Sequence, residues 1–292
     1  MQRIIRGILV LMLNMSLGMA NANGQNRPAS PAEQYESLRK ECDRATNIGI
    51  PHTDAERLKF IGLGFRARQA FAHRFVELAK KYPDDPIALD ALIQAVWQVN
   101  TIPWPVELVG EDTARAEAFE ILQRDHIQSD RLGPLCERVS YGFCKEYESF
   151  LRTVLAKNPH KRVQAAASLS LAQFLYNRLQ RLDLVRNELE QAKEFAGLYG
   201  KEYLAELQRQ QSGDVLREVE ALFEQTAKKY GDVNLPAGGT AAERATAQLV
   251  AIRTLRVGKA APDIEGMDQD GKPFKLSDYR GKVVLLDFWS YV

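Results

Sequence analysis

Leu151-Arg152-Thr153-Val154-Leu155-Ala156-Lys157-Asn158-Pro159, followed by Val163-Gln164-Ala165-Ala166-Ala167-Ser168, decides the fold. Apolar residues spaced three and four apart run up to a proline, and an alanine-rich stretch of the same period begins just beyond it. The pattern is a helix, a break and a second helix whose small side chains let it lie close to the first. It stands a second time 76 residues earlier, as Phe75-Val76-Glu77-Leu78-Ala79-Lys80-Lys81-Tyr82-Pro83 and then Ile87-Ala88-Leu89-Asp90-Ala91-Leu92. A third copy, Leu222-Phe223-Glu224-Gln225-Thr226-Ala227-Lys228-Lys229-Tyr230-Gly231, follows 72 residues after the second.

Working outward, residues 32–256 keep this helical period throughout, with sparse Gly and Pro and many good helix formers. Helices are expected over 32–45, 54–82, 86–99, 112–125, 134–157, 161–179, 182–199, 201–211, 213–230 and 241–253, with a possible break near Gly62 and Gly64. The repeat spacing is about twice the 34-residue tetratricopeptide period. The region therefore reads as tetratricopeptide-like helical hairpins in a divergent α-solenoid, or alternatively as an irregular helical bundle. Tyr35, Phe60, Phe65, Phe71, Trp97 and Trp104 stand at helical spacing and are expected in the core. Ile102-Pro103-Trp104-Pro105 reads as a rigid connector.

The pattern changes at residue 257. Asp268-Gln269-Asp270-Gly271 is a turn signal between two short extended stretches, 263–267 and 273–276. Ser277 is the expected N-cap of a one-turn helix over Asp278-Tyr279-Arg280, closed by Gly281. Lys282-Val283-Val284-Leu285-Leu286-Asp287-Phe288-Trp289 then reads as a strand buried on both faces. Full burial of its five Val, Leu and Phe side chains would contribute roughly 8–15 kcal/mol, as much as the net stability of a whole domain.

Gly258-Lys259-Ala260-Ala261-Pro262-Asp263-Ile264, Asp270-Gly271-Lys272-Pro273-Phe274-Lys275-Leu276-Ser277-Asp278-Tyr279-Arg280-Gly281-Lys282 and Val283-Val284-Leu285-Leu286-Asp287-Phe288-Trp289, in that order, resemble the opening of a redoxin domain. This is the family of alkyl hydroperoxide reductase/thiol-specific antioxidant proteins and thioredoxin-like thiol–disulfide oxidoreductases. The resemblance implies a thioredoxin-like α/β fold and thiol-dependent redox chemistry. Its catalytic Trp-Cys-x-x-Cys would lie at the start of the helix after the strand, where the helix dipole lowers a thiol pKa. Trp289 is followed here by Ser290, Tyr291 and Val292, so the expected motif lies beyond Val292 and no catalytic residue is assigned within the chain.

At the other end, residues 1–22 read as a secretory signal. Arg3 and Arg6 precede an apolar run over 8–19, and Ala20-Asn21-Ala22 supplies a small-x-small cleavage pattern after Ala22. The run is too short for a membrane span, and residues 23–31 read as a disordered polar linker. The expected location is periplasmic or secreted. With 39 basic and 38 acidic residues the chain carries no field to steer nucleic acid.

Cys42, Cys136 and Cys144 form no C-x-x-C pattern. On one continuous helix Cys136 and Cys144 would stand about 12 Å apart, too far for a disulfide unless Gly142 breaks it. Cys42 could pair with either, or all three could be buried and unreactive. His52, His73, His126 and His160 have no metal-ligand spacing, and Gly62-x-Gly64 and Gly238-Gly239 lack the strand–helix setting of a phosphate loop. No metal, nucleotide or other cofactor is expected.

The fold class is thus mainly α: a signal (1–22), a linker (23–31), a helical repeat-like region (32–256), and the N-terminal part of a thioredoxin-like domain (257–292). Two functions fit. One is an exported thiol–disulfide oxidoreductase or peroxiredoxin-type antioxidant, cut before its catalytic cysteines and inactive as it stands, by truncation or frameshift. The other is a secreted helical scaffold that binds a protein or peptide and carries a vestigial redoxin tail.

Overall fold

The computed structural model describes residues 27–47, 54–99, 113–141, 144–187, 200–256 and 258–287, with backbone alone at 54–62, 184 and 187. The expected signal at 1–22 and connector at 102–105 lie outside the described residues, as do His52, Phe60 (its side chain), Trp104 and Gly142.

The protein is mainly α, with ten α-helices and a single two-stranded sheet among the described residues. The helices are α1 (Pro31–Thr46), α2 (Asp54–Lys81), α3 (Ile87–Val99), α4 (Thr113–Asp125), α5 (Gly133–Val139), α6 (Lys145–Lys157), α7 (Lys161–Asn187), α8 (Lys201–Arg209), α9 (Ser212–Tyr230) and α10 (Ala241–Thr254). Two starts are fixed by reciprocal capping boxes. Ser30 Oγ accepts from the Glu33 amide at 3.2 Å while Glu33 accepts from the Ser30 amide at 2.6 Å. Thr240 and Glu243 do the same for α10 at 3.2 and 2.8 Å. Each satisfies two amides that a helix start would otherwise leave bare.

Neighbours in sequence are neighbours in space: α1 packs on α2, α2 on α3, α3 on α4, α4 on α6, α6 on α7, α7 on α9 and α9 on α10, with α5 laid against α7. The three sequence copies are the hairpins α2/α3, α6/α7 and α9/α10. Ala88, Ala91 and Ala95 on α3 and Ala165, Ala166, Ala167 and Ala172 on α7 are fully or almost fully buried, which lets helix axes approach closely. An aromatic cluster fills the middle: Phe119 of α4 meets Tyr147 and Phe150 of α6 at centroid distances of 5.3 and 5.1 Å, and Tyr147 meets Phe174 of α7 at 6.5 Å. Such tilted pairs add about 0.5–1.5 kcal/mol each beyond their buried area.

Three expectations change. The single helix over 134–157 is two helices, α5 ending at Val139 and α6 starting at Lys145, with Cys144 before it extended (φ −85, ψ 147); in the sequence between them stands Gly142, the poorest helix former in the stretch after Pro134. The two helices expected over 161–179 and 182–199 run as one as far as Asn187, since Gln180 and Arg181 between them favour helix. Trp97, expected in the core, is 43% exposed, whereas Phe65 and Phe71 are buried as read.

The residue at each hairpin break reaches back to the unit before it. Tyr82 Oη accepts from Gln34 of α1 at 2.7 Å. Asn158 Nδ2 donates to the Ile127 and Ser129 carbonyls at 2.7 and 2.8 Å, and its Oδ1 accepts from the His160 amide at 2.9 Å. Tyr230 donates to Gln164 of α7 at 3.2 Å, and Gln164 in turn donates to the Asn158 carbonyl at 2.7 Å. Asn158 is 1% exposed, so Asn158→Ala leaves the buried Ile127 carbonyl and the part-buried Ser129 carbonyl without their donor. The expected cost is about 2–3 kcal/mol, read as a lowered urea midpoint with an unchanged m-value.

Candidate functional site

The segment singled out by its sequence, residues 258–287, forms a small locally bonded unit. Strands β1 (Glu265–Met267) and β2 (Pro273–Lys275) pair antiparallel, with Glu265 opposite Lys275, Gly266 opposite Phe274 and Met267 opposite Pro273. Asp268 makes the turn: its Oδ1 accepts from the Asp270 and Lys272 amides, both at 2.9 Å, and Gly271 takes the left-handed φ of 74. Gly266 gives close approach, since a Cβ there would sit 3.1 Å from the Phe274 ring, which would have to shift by a few tenths of an ångström. Across the hairpin Glu265 and Lys275 form an exposed ion pair.

A 3₁₀ turn, Leu276–Tyr279, follows β2. Ser277 is therefore not the N-cap expected of it. Asp278 accepts from the Lys275 amide at 3.0 Å and closes the start of the turn. Ser277 instead ties the turn to the segment that leads into β1: its amide and hydroxyl donate to Asp263 Oδ1 and Oδ2 at 2.8 and 2.7 Å. Those hydrogen bonds hold the Asp263 carboxyl below the usual carboxylate range. Gly281 has the left-handed φ of 84 that was expected, and the Lys282 ammonium lies 5.6 Å from the Tyr279 ring centroid.

The apolar run comes next, and it is not buried. Val283 and Leu285 are fully or almost fully exposed, Val284 and Leu286 about half. Residues 283–287 belong to no strand; Phe288 and Trp289 lie outside the described residues. The buried-strand pattern is thus unmet here: β1 and β2, each three residues long, pair only with one another among the described residues. No described residue from 258 to 287 is buried, and the last buried residue of the helical region is Ile252.

The cysteines sit elsewhere and are free thiols. Cys42 on α1 and Cys136 on α5 are wholly buried, and burial pushes both thiols up, Cys136 very strongly. A buried, protonated thiol is a poor nucleophile. Cys144 is half-buried at the start of α6. His73 Nε2 lies 3.4 Å from the Thr113 hydroxyl, and burial pushes the His126 imidazole down. Among the described residues no three His, Cys, Asp or Glu side chains converge as a metal site would require.

The sequence reading missed a charge network at the α6/α7 contact, built around one buried guanidinium. Arg178, 3% exposed, bonds Glu148, donates to Tyr203 Oη at 2.9 Å and lies 5.5 Å from the Phe174 ring centroid. Arg152 bridges Glu148 and Glu218, both at 2.8 Å. Burial pushes the Glu148 carboxyl up, but the Arg178 charge and the hydrogen bonds from Arg178 and Arg152 outweigh it and hold it below the usual range. The nearest sequence signal was the i,i+4 pair Glu148/Arg152, which by itself reads as a solvated helix face.

Residues 257–291 match the protein-family model described as the AhpC/TSA family, about an eighth of the chain. The match supports a redoxin-like relationship for this segment, in agreement with the resemblance of its three submotifs. No curated protein and no solved structure matches the chain.

Two outcomes are expected. An aromatic disulfide reagent at pH 8 should titrate no thiol but Cys144 within minutes in the native protein, and all three in guanidinium. Glu148→Ala should cost about 3–5 kcal/mol by leaving Arg178 buried without its carboxylate. Because the folded-state pKa of Glu148 is lowered, its contribution is present above the unfolded value of about 4.3 and lost as pH falls through the folded value. The gap between wild type and Glu148→Gln in urea melts should therefore close under acid conditions.

Proposed function

We propose that this chain is the exported, helical-repeat portion and redoxin-domain opening of a thioredoxin-like thiol–disulfide oxidoreductase or peroxiredoxin-type antioxidant protein. The observation that carries this reading is the family match over 257–291, a segment that holds a hairpin, a turn and an apolar run in succession. The exposed side chains at 283–286 support it, since burial of such side chains returns about 1.5–3 kcal/mol each and a sheet needs flanking strands to provide that burial.

In this reading the residues of the chain position the chemistry and do not perform it. The Asp263–Ser277 hydrogen bonds and the Asp268 turn fix the hairpin against the turn that feeds the 283–287 run. A cysteine pair following Trp289 in the parent protein supplies the thiolate that attacks a disulfide or peroxide. Cys42 and Cys136, held protonated in the helical core, take no part. Residues 1–22 direct export and are removed after Ala22.

A second reading, a secreted helical scaffold with a vestigial tail, is favoured by one observation. The helical core is complete without the tail, which contributes no buried residue to it.

The decisive test is the transcript across codon 292. A Trp-Cys-x-x-Cys reading within about ten codons of Trp289, in frame or one shift away, is the expected result; open sequence without it would overturn the oxidoreductase and leave the scaffold. Purified chain ending at Val292 is expected to reduce neither insulin disulfides nor hydrogen peroxide above buffer, and turnover abolished by Cys144→Ser would place the chemistry in the helical region instead. Mass spectrometry of protein recovered from an exporting host is expected to find an N-terminus at Asn23; retention of Met1 would remove the export step.

A further inference from the structure

A second feature of the helical region points to a ligand. Between the end of α5, the middle of α7, α10 and the loop before it lies a cavity of about 260 Å³. At about 30 Å³ per water in the liquid, it has room for roughly nine waters. Leu169, Ala237 and Ala247 give it an apolar floor. Its polar lining is made of amides and hydroxyls: Gln173, Gln248, Ser140 and Ser170. Glu137 and Arg244 also line it, joined at 2.9 Å, and the Tyr141 side chain, 65% exposed, stands at its edge.

Three properties of this lining restrict what would fill it. The two charges neutralise each other, so a charged ligand would have to part Glu137 from Arg244. Donors and acceptors are interleaved, so a purely apolar ligand would strip water from several of them at about 1–3 kcal/mol each. Two of the polar groups, Gln173 and Ser140, are also held in place before any ligand arrives. Gln173 Nε2 donates to Asn177 at 2.9 Å, Asn177 donates to the Ser140 carbonyl at 3.2 Å, and the Ser140 hydroxyl donates to the Glu137 carbonyl at 2.7 Å. That chain leaves the Gln173 carbonyl oxygen and the Gln248 amide without protein partners among the described residues. Arg181 donates to the Tyr141 carbonyl at 3.3 Å and steadies the aromatic edge. Preorganised groups of this kind bind without the cost of ordering them first.

We propose that this cavity binds a neutral polyhydroxylated small molecule of monosaccharide size. Planar amides and the carboxylate–guanidinium pair match vicinal hydroxyls, the apolar floor and the Tyr141 ring match the C–H face of a sugar ring, and the balanced charge excludes acids. The site stands apart from the redoxin-like segment, and its failure would leave the reading of that segment untouched.

The test is saturation-transfer NMR on the full chain, with D-glucose, D-galactose, D-mannose and myo-inositol as separate probes at millimolar concentration and D-glucuronate as the charged comparison. Saturation transfer to at least one neutral probe is expected, with weaker binding of glucuronate than of glucose. Gln248→Leu, which keeps the cavity and removes an amide, and Ser170→Ala should each weaken binding about 2–10-fold, the value of one neutral hydrogen bond. Far-ultraviolet circular dichroism melts establish that the variants are folded, and either variant suffices if the other is not. Absence of transfer to all four neutral probes, equal transfer in wild type and folded variants, or tighter binding of glucuronate than of glucose would each overturn the proposal.

Discussion

The helical region depends on a polar residue placed where each hairpin turns. Tyr82, Asn158 and Tyr230 hold the same position in the three copies, and each bonds backward to the unit before it. Helix packing alone is tolerant, because alanine-rich faces can slide along one another with small change in buried area. A hydrogen bond at 2.7–2.8 Å between a buried amide and two specific carbonyls cannot slide. Asn158 thus sets the register of α6/α7 on the preceding turn, and the Gln164–Tyr230 bond passes that register on to α9/α10. The buried Ser168–Thr226 hydroxyl pair, 2.6 Å apart, adds a second fixed point on the same contact between α7 and α9.

The charge network at Glu148 does the same work from the other side of α6. Arg178 has no access to solvent, so its position is stable only with Glu148 and Tyr203 in place. A buried ion pair of this kind adds little net stability over an apolar pair of the same shape, yet its loss on one side costs several kcal/mol. Its effect is to penalise alternative packings of α6 on α7. In a structure built from similar hairpins, where wrong pairings bury nearly as much apolar area as right ones, such a penalty selects one arrangement.

How much of this was legible follows from which signals are local. Helix existence, the three copies and most boundaries were legible, because apolar period and Gly/Pro punctuation act over a few residues. The break between α5 and α6 was read only as an exception at Gly142, because Pro134 and the apolar period on either side outweigh one Gly in a window of that length. The capping boxes at Ser30/Glu33 and Thr240/Glu243 were readable as Ser-x-x-Glu and Thr-x-x-Glu before apolar runs, a signal passed over. The Arg178–Glu148 pair and the cavity beside Tyr141 join residues tens of positions apart, and no window along the chain contains them. For the redoxin-like segment the position was reversed. Its turns were legible and formed as read, whereas Ser277 serves Asp263, fourteen residues away, and so escaped the local capping rule.

The contrast between the two regions bears on how they can be joined. In the helical region the sequence pattern and the burial agree over most of its length: apolar stripes are largely covered, and the buried Asn158 and Thr226 have partners. From Gly258 onward they disagree, for a run patterned for burial on both faces is exposed on both. Local hydrogen bonds hold the hairpin and turn without any core, and those bonds are worth about 0.5–1.5 kcal/mol each, too little to compensate for leaving that run in water. Neither β1 nor β2, which pair only with each other among the described residues, is a sheet neighbour of the 283–287 run. The helical region does not provide one either, since its own core closes at Ile252 and offers no strand edge among the described residues. The apolar pattern of the 283–287 run and the family match over 257–291 thus agree with each other, and neither is expressed as burial among the described residues.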